Sequence, residues 1–164
     1  MINKDNNEIR NRKKFSKNFQ NILAVKGITP YEFGKIFFPE KKKSTIGYYY
    51  LNNPNITIYN LCKVAIILNV DITIFFQDNL NDIIKLENVD VNSYYSLVLK
   101  NIATNIKLVR KEKDELLLDL EVLSNIDSSN LSKIENAKSN LSIAILTRVA
   151  DTLSTNIQGL LEWN

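Results

Sequence analysis

Histidine is absent from the 164 residues, cysteine occurs once and glycine only four times. Without histidine the commonest general base and the commonest metal ligand are missing. With Cys62 alone, one chain can build neither an internal disulfide nor a zinc site of the usual kind. That usage fits a reducing cytosol, and the helical spacing around Cys62 gives it a structural role. Gly27, Gly34, Gly47 and Gly159 are scattered, so no glycine-rich phosphate loop can form. No stretch of about 18 uncharged apolar residues occurs, which excludes a helical membrane span. The opening residues, MINKDNNEIRNRKKF, are polar and lack the apolar stretch of a secretory signal. These absences point away from an enzyme, a metal or other cofactor and a membrane protein. The expectation is a cytoplasmic chain that works by binding.

What is present is one helical pattern twice. Ser44–Phe76 lies over Ser129–Leu161 at an ungapped shift of 85 residues, with eight of 33 positions identical. They are Ser44/Ser129, Asn55/Asn140, Ile58/Ile143, Leu61/Leu146, Val64/Val149, Ala65/Ala150, Leu68/Leu153 and Ile72/Ile157. A shared spacing of core positions implies two copies of one supersecondary unit. Hydrophobic residues make up 45% of the chain, enough for the dense cores that units of this size need.

Charge divides the copies. Residues 1–76 carry 12 Lys and Arg against 5 Asp and Glu, a net +7; residues 77–164 carry 9 against 13, a net −4. A basic half suits a polyanion, because phosphate neutralisation and counterion release supply affinity.

The local signals define four segments. Residues 1–12 lack apolar periodicity and read as a disordered basic arm. Residues 13–76 form the first unit. Phe15, Phe19, Ile22 and Leu23 stripe a helix that Gly27 stops; Thr29-Pro30 begins a second. A third runs from about Ser44 to Leu51, Thr57 caps a fourth and Asp71 a fifth. Residues 77–92 read as a linker. Residues 93–164 repeat the order, with Asp127, Ser142 and Asn156 as caps.

This all-α order of two tandem five-helix units resembles the lambda-repressor-like, Cro-type (XRE) helix-turn-helix family. The tract IDSSNLSKIENAKSN resembles the surroundings of that family's recognition helix, and SIAILTRVADTLSTNIQGLLE resembles its last two helices. The likeness covers about residues 94–162 and, more weakly, 13–76. It implies a DNA-binding transcriptional regulator, most simply a repressor, whose third helices enter the major groove of double-stranded DNA. Ser128, Ser129, Asn130 and Lys133 then fall at or near bases, and Asn136, Lys138 and Asn140 near the backbone. In the first copy Lys43, Ser44, Thr45 and Tyr48 match the base positions and Asn53 and Asn55 the phosphate positions, while Lys41 and Lys42 add charge at the turn. Family members often pair a first-helix arginine with a third-helix glutamate. Arg110 and Glu135 occupy those positions, and Leu23 and Tyr50 are their counterparts in the first copy.

Two departures stand out. Leu117 and Pro30 hold the position of a frequent glutamine at the start of the second helix, and Glu121 replaces the small residue represented by Gly34.

Other features stay open between two readings. Lys41–Lys43 is a solvated turn or a phosphate contact. Arg10, Arg12, Lys13 and Lys14 follow a groove or only add solubility. Of Tyr48–Tyr50, Tyr48 is expected to face out and the other two inward. Trp163 closes a core or forms a dimer seam. Leu116–Leu118 cannot all face one core, so one should be exposed or covered by a partner. A two-fold homodimer is the usual solution for the motif, and tandem copies also let one chain span adjacent grooves. The alternative class is a protein-binding unit reusing this scaffold through its acidic second half, as antirepressors and some phage-encoded inhibitors do.

Overall fold

Apolar residues at helical spacing, punctuated by capping side chains, make this chain a succession of helices. The computed structural model describes residues 4–80, 85, 86 and 88–164. Among them are nine α-helices, one 3-10 helix and no strand. The first copy contains α1 (Lys4–Lys26), α2 (Pro30–Phe37), α3 (Ile46–Tyr50), α4 (Ile58–Leu68) and the 3-10 helix Ile72–Phe76. The second contains α5 (Val91–Glu112), α6 (Leu117–Ser124), α7 (Ser128–Glu135), α8 (Ile143–Thr152) and α9 (Ile157–Leu161). No described helix is long and apolar enough to cross a membrane.

The repeat extends to cap chemistry. Thr57 and Ser142 each accept a bond from the third backbone N–H onward, Asn60 and Ile145. Asp71 and Asn156 cap the final helices, Asp71 accepting from Thr73 N two residues on and Asn156 from Gly159 N three residues on. Asn69 and its counterpart Ser154 are both left-handed, at φ 49° and 50°. Ahead of the turn between second and third helices the register shift is 87, and Gly27 and Asp114 are again both left-handed. Asn18 and Asn105, equivalent at that shift, perform one task. Asn18 Nδ2 donates to Phe75 O and Gln77 O; Asn105 Nδ2 donates to Leu160 O and Glu162 O. Each buried amide ties the first helix of its copy to the last.

Three local expectations change. Residues 4–12, expected as part of a disordered arm, form the first turns of α1, while residues 1–3 of that arm lie outside the described residues. The order comes from distant polar partners. Asn7 Nδ2 meets Asp151 Oδ1 at 2.8 Å, Asn11 Nδ2 meets Thr147 Oγ1 at 3.0 Å and Arg12 Nε meets Asn53 O at 2.9 Å. The third helix of the first copy starts at Ile46 rather than Ser44, because Lys42 stands where Asp127 caps α7 and Thr45 makes no side-chain cap bond. Tyr49 faces out at 53% exposure, since three successive helical residues sweep most of a turn and Tyr50 alone takes the core direction. The described part of 77–90 is non-helical; 81–84 and 87 of the expected linker lie outside the described residues.

The copies are interleaved. α1 packs along its own 3-10 helix and along α8 of the other copy; α5 packs along its own α9 and along α4. Buried apolar residues from Phe15 to Leu161 form one continuous cluster. The segment 77–92 therefore divides repeats, not cores. Within the cluster Tyr50 meets Phe19 and Phe37 edge to face, both at 5.7 Å between ring centres, anchoring the end of α3. Each such pair contributes about 0.5–1.5 kcal/mol beyond area burial. Trp163 is 45% exposed and reaches the core through one bond: its Nε1 donates to the buried carboxylate of Asp71 at 2.9 Å, beside Tyr94.

Candidate nucleic-acid interface

The sequence directs attention to α3 and α7 with the turns before and after them. In the second copy α6 leads to α7 through a turn of three residues. Asn125 adopts φ 56°, Ile126 is buried beneath the turn and Asp127 caps α7 by accepting from Asn130 N at 2.9 Å. Leu131, Ile134 and Glu135 face the core. The opposite side of α7 exposes Ser128, Ser129, Asn130, Lys133 and Asn136, and the following loop exposes Lys138 and Asn140. All seven positions expected in this copy thus reach the surface. Asn130 Nδ2 is bonded to Asp127 and Asn136 Nδ2 to Ser132 O, so these two amides shape the helix ends.

Glu135 is held from behind. Arg110 Nε and Nη2 bond its two carboxylate oxygens at 2.6 and 3.0 Å, as the resemblance implied. That bond holds the guanidinium pKa above its ordinary value. The fork fixes the end of α7 against α5 and lets Lys133, two residues earlier, point to solvent.

The first copy builds the same region differently. Gly47 lets α3 sit against the start of α2: a Cβ there would lie 2.0 Å from Pro30 O. Gly34 meets Ser44 similarly, with a virtual Cβ 2.9 Å from Ser44 O. This close crossing buries Ser44 to 7% exposure, so Ser44 is no base-facing residue; its hydroxyl accepts from Ile46 N. Lys43 and Thr45 are exposed, in the turn before α3 and not on it. Tyr48 is exposed as expected. Lys41 and Lys42 are also exposed, and Lys41 Nζ lies 4.3 Å from the Phe38 ring centre. Phe38, Lys41, Lys43, Thr45 and Tyr49 line a shallow hollow of about 260 Å³. Asn53 is half-buried and fastened to α1: its N–H donates to Ser16 Oγ and its carbonyl accepts from Arg12.

Asn55 and Asn140 have a role that the sequence did not disclose. Asn55 Oδ1 accepts from Ala144 N at 3.0 Å, and Asn140 Oδ1 accepts from Tyr59 N at 3.2 Å. Each asparagine satisfies a first-turn N–H of the other copy's fourth helix. Between them Ile58 N donates to Leu141 O and Ile143 N to Ile56 O, at 2.6 and 3.0 Å, making an antiparallel bridge between Thr57 and Ser142. Their identity in both copies was the available signal. These two oxygens serve the fold rather than a phosphate.

A second surface adjoins the first. On and beside α6, Leu116, Leu118 and Val122 are exposed at 66%, 62% and 75%. Two of the three consecutive leucines are thus in solvent, where one was expected; Leu117 is half-buried. Among the described residues no group of three or more Cys, Asp or Glu is placed to hold a metal ion. No family model, curated protein or solved structure matches the chain.

Proposed function

We propose that the protein is a DNA-binding transcriptional regulator in which α2–α3 and α6–α7 act as helix-turn-helix units. The observation that carries this reading is the face of α7. A capped helix, braced by Arg110, turns Ser129, Lys133 and Asn136 to solvent at spacings of four and three residues, one line along a helix. Serine and lysine can bond base edges, and Lys138 just beyond the helix suits a phosphate. The first copy adds Lys41, Lys42, Lys43 and Tyr48 around a shorter α3, with a larger share of phosphate attraction. Because α7 is the longer and better capped element, it is the better base reader; the first copy supplies charge.

Titration of a random duplex at several salt concentrations tests this reading. The expected result is measurable binding with a steep negative salt dependence, each phosphate contact contributing about −0.9 to the logarithmic slope. Replacing Lys41, Lys42 and Lys43 by alanine should flatten that slope, and Lys133→Ala should reduce preference among sequences. No binding at low salt would reject the proposal.

The exposed Leu116, Leu118 and Val122 favour a second reading, a protein-binding unit on the same scaffold. It predicts that polar replacement of these three residues abolishes function while leaving DNA affinity untouched.

A further inference from the structure

We infer that a single chain supplies both halves of a two-fold DNA reader, and that its target carries two unlike half-sites instead of a palindrome. The inference rests on the DNA-binding reading above and concerns its stoichiometry and target.

In a two-fold dimer the contact patch is self-complementary: if residue i of one subunit touches j of the other, j touches i. This chain satisfies that condition internally. Ile56, Ile58 and Asn55 correspond to Leu141, Ile143 and Asn140, and Tyr59 corresponds to Ala144. Ile58 N bonds Leu141 O while Ile143 N bonds Ile56 O; Ala144 N bonds Asn55 while Tyr59 N bonds Asn140. Each of the four bonds has its mate under the exchange of copies, so a local two-fold axis passes between Thr57 and Ser142. The exchange of first helices obeys the same axis, with α1 on α8 and α5 on α4.

Two consequences follow for DNA. The self-complementary edge is consumed, because Ile56, Ile58, Leu141 and Ile143 are at most 3% exposed, so it cannot recruit a second chain. The reading elements stand at equal distances along the chain from the bridge: α3 ends at Tyr50 and α7 at Glu135, each seven residues before Thr57 or Ser142. An axis of this kind is what a duplex offers between half-sites. The two sides differ chemically, however. One presents Lys41, Lys42, Lys43 and Tyr48, the other Ser128, Ser129 and Lys133. A reader with two-fold layout and unlike faces selects a layout-symmetric site with unlike sequences. Joining both faces in one chain also removes the concentration dependence of dimer assembly.

The test is selection of bound fragments from a random duplex pool, followed by sedimentation and hydroxyl-radical footprinting of the full chain on a selected site. The expected complex holds one chain per duplex, protects two patches about one helical turn apart, and shows no common sequence between half-sites. Lys133→Ala should relax discrimination on the order of tenfold at one half-site only, and Tyr48→Ala should weaken protection of the other only. Two chains on a palindrome, or one chain protecting a single half-site, overturn the inference and leave DNA binding standing. Failure to bind any duplex at low salt rejects the underlying reading, and the inference with it.

Discussion

Arg110 and Glu135 form a two-pronged pair at 2.6 and 3.0 Å, with side chains only 16% and 6% exposed. Arg110 Nη1 also donates to Glu115 O at 2.8 Å, so the guanidinium joins α5, the turn before α6 and the end of α7. The counterparts Leu23 and Tyr50 are uncharged and buried, at 3% and 1% exposure, and the Tyr50 hydroxyl has no hydrogen-bond partner among the described residues. One site in one scaffold has thus been filled by a paired charge in one copy and by two uncharged side chains in the other.

This contrast sets up a double-mutant cycle. Removing one partner strands a buried charge, which costs about 3–5 kcal/mol, whereas replacing both by apolar groups of similar volume is often close to neutral. Glu135→Ala and Arg110→Leu should each lower the urea midpoint strongly. The double variant Arg110→Leu/Glu135→Tyr, which imports the first copy's solution, should recover most of the loss. Additive losses in the double variant would refute a coupled pair.

Cooperativity is the next prediction. α1 and α5 each pack on the other copy, and one apolar cluster runs through both. The expected equilibrium unfolding is a single transition, with Trp163 fluorescence and far-ultraviolet dichroism coinciding. The probe is suitable because Trp163 is the chain's one tryptophan and bonds Asp71 of the first copy. Fragments 1–80 and 88–164 should be poorly folded alone and regain helicity on mixing. Two resolved transitions would mean that the copies fold as independent domains.

Helices and caps were legible in the sequence because both depend on neighbours a few residues away. Thr29-Pro30, Thr57, Asp71, Asp127, Ser142 and Asn156 all cap where local chemistry places them. The Arg110–Glu135 contact was legible through the family resemblance, with the paired change to Leu23 and Tyr50 in the first copy as support. What stayed hidden depends on partners far along the chain. Residues 4–12 read as disordered because their partners, Thr147 and Asp151, are about 140 residues away. Ser44 looked like a base contact until the approach of Gly34 buried it. Asn55 and Asn140 sit in loops where a polar residue is unremarkable, and only the antiparallel meeting of the copies gives them a task.

Cys62 offers a chemical probe of that meeting. It lies on α4 with no solvent exposure, and burial, assisted by the nearby Asp71 carboxylate, pushes its thiol pKa well above the ordinary range. The thiolate is the reactive form. A thiol reagent at pH 8 should therefore label the native chain only through opening events. The Asn55→Ala/Asn140→Ala variant, which removes both reciprocal caps, should label faster at unchanged helix content. Rapid labelling of the native wild-type chain would contradict the described burial.

Acid should destabilise the fold over a narrow interval. Glu32 is held below the usual carboxylate range by the Thr29 backbone N–H and hydroxyl. Asp78 is lowered by its bond from Lys14, and Asp90 by the Ser93 hydroxyl and backbone N–H. A carboxylate whose folded pKa is depressed binds fewer protons folded than unfolded, so unfolding takes up protons and stability falls as pH falls. The contribution is fully present above the unfolded values near 4 and disappears as pH drops through the lower folded ones. These groups are solvent-exposed, so the change is modest and the Asp78 share should shrink in high salt. With no histidine, no side chain of ordinary pKa titrates between pH 5 and 8. The melting temperature should therefore hold a plateau across that range and decline below about pH 4, with a shallower decline in Asp78→Asn/Asp90→Asn. A midpoint of destabilisation near pH 6 would contradict control by these carboxylates.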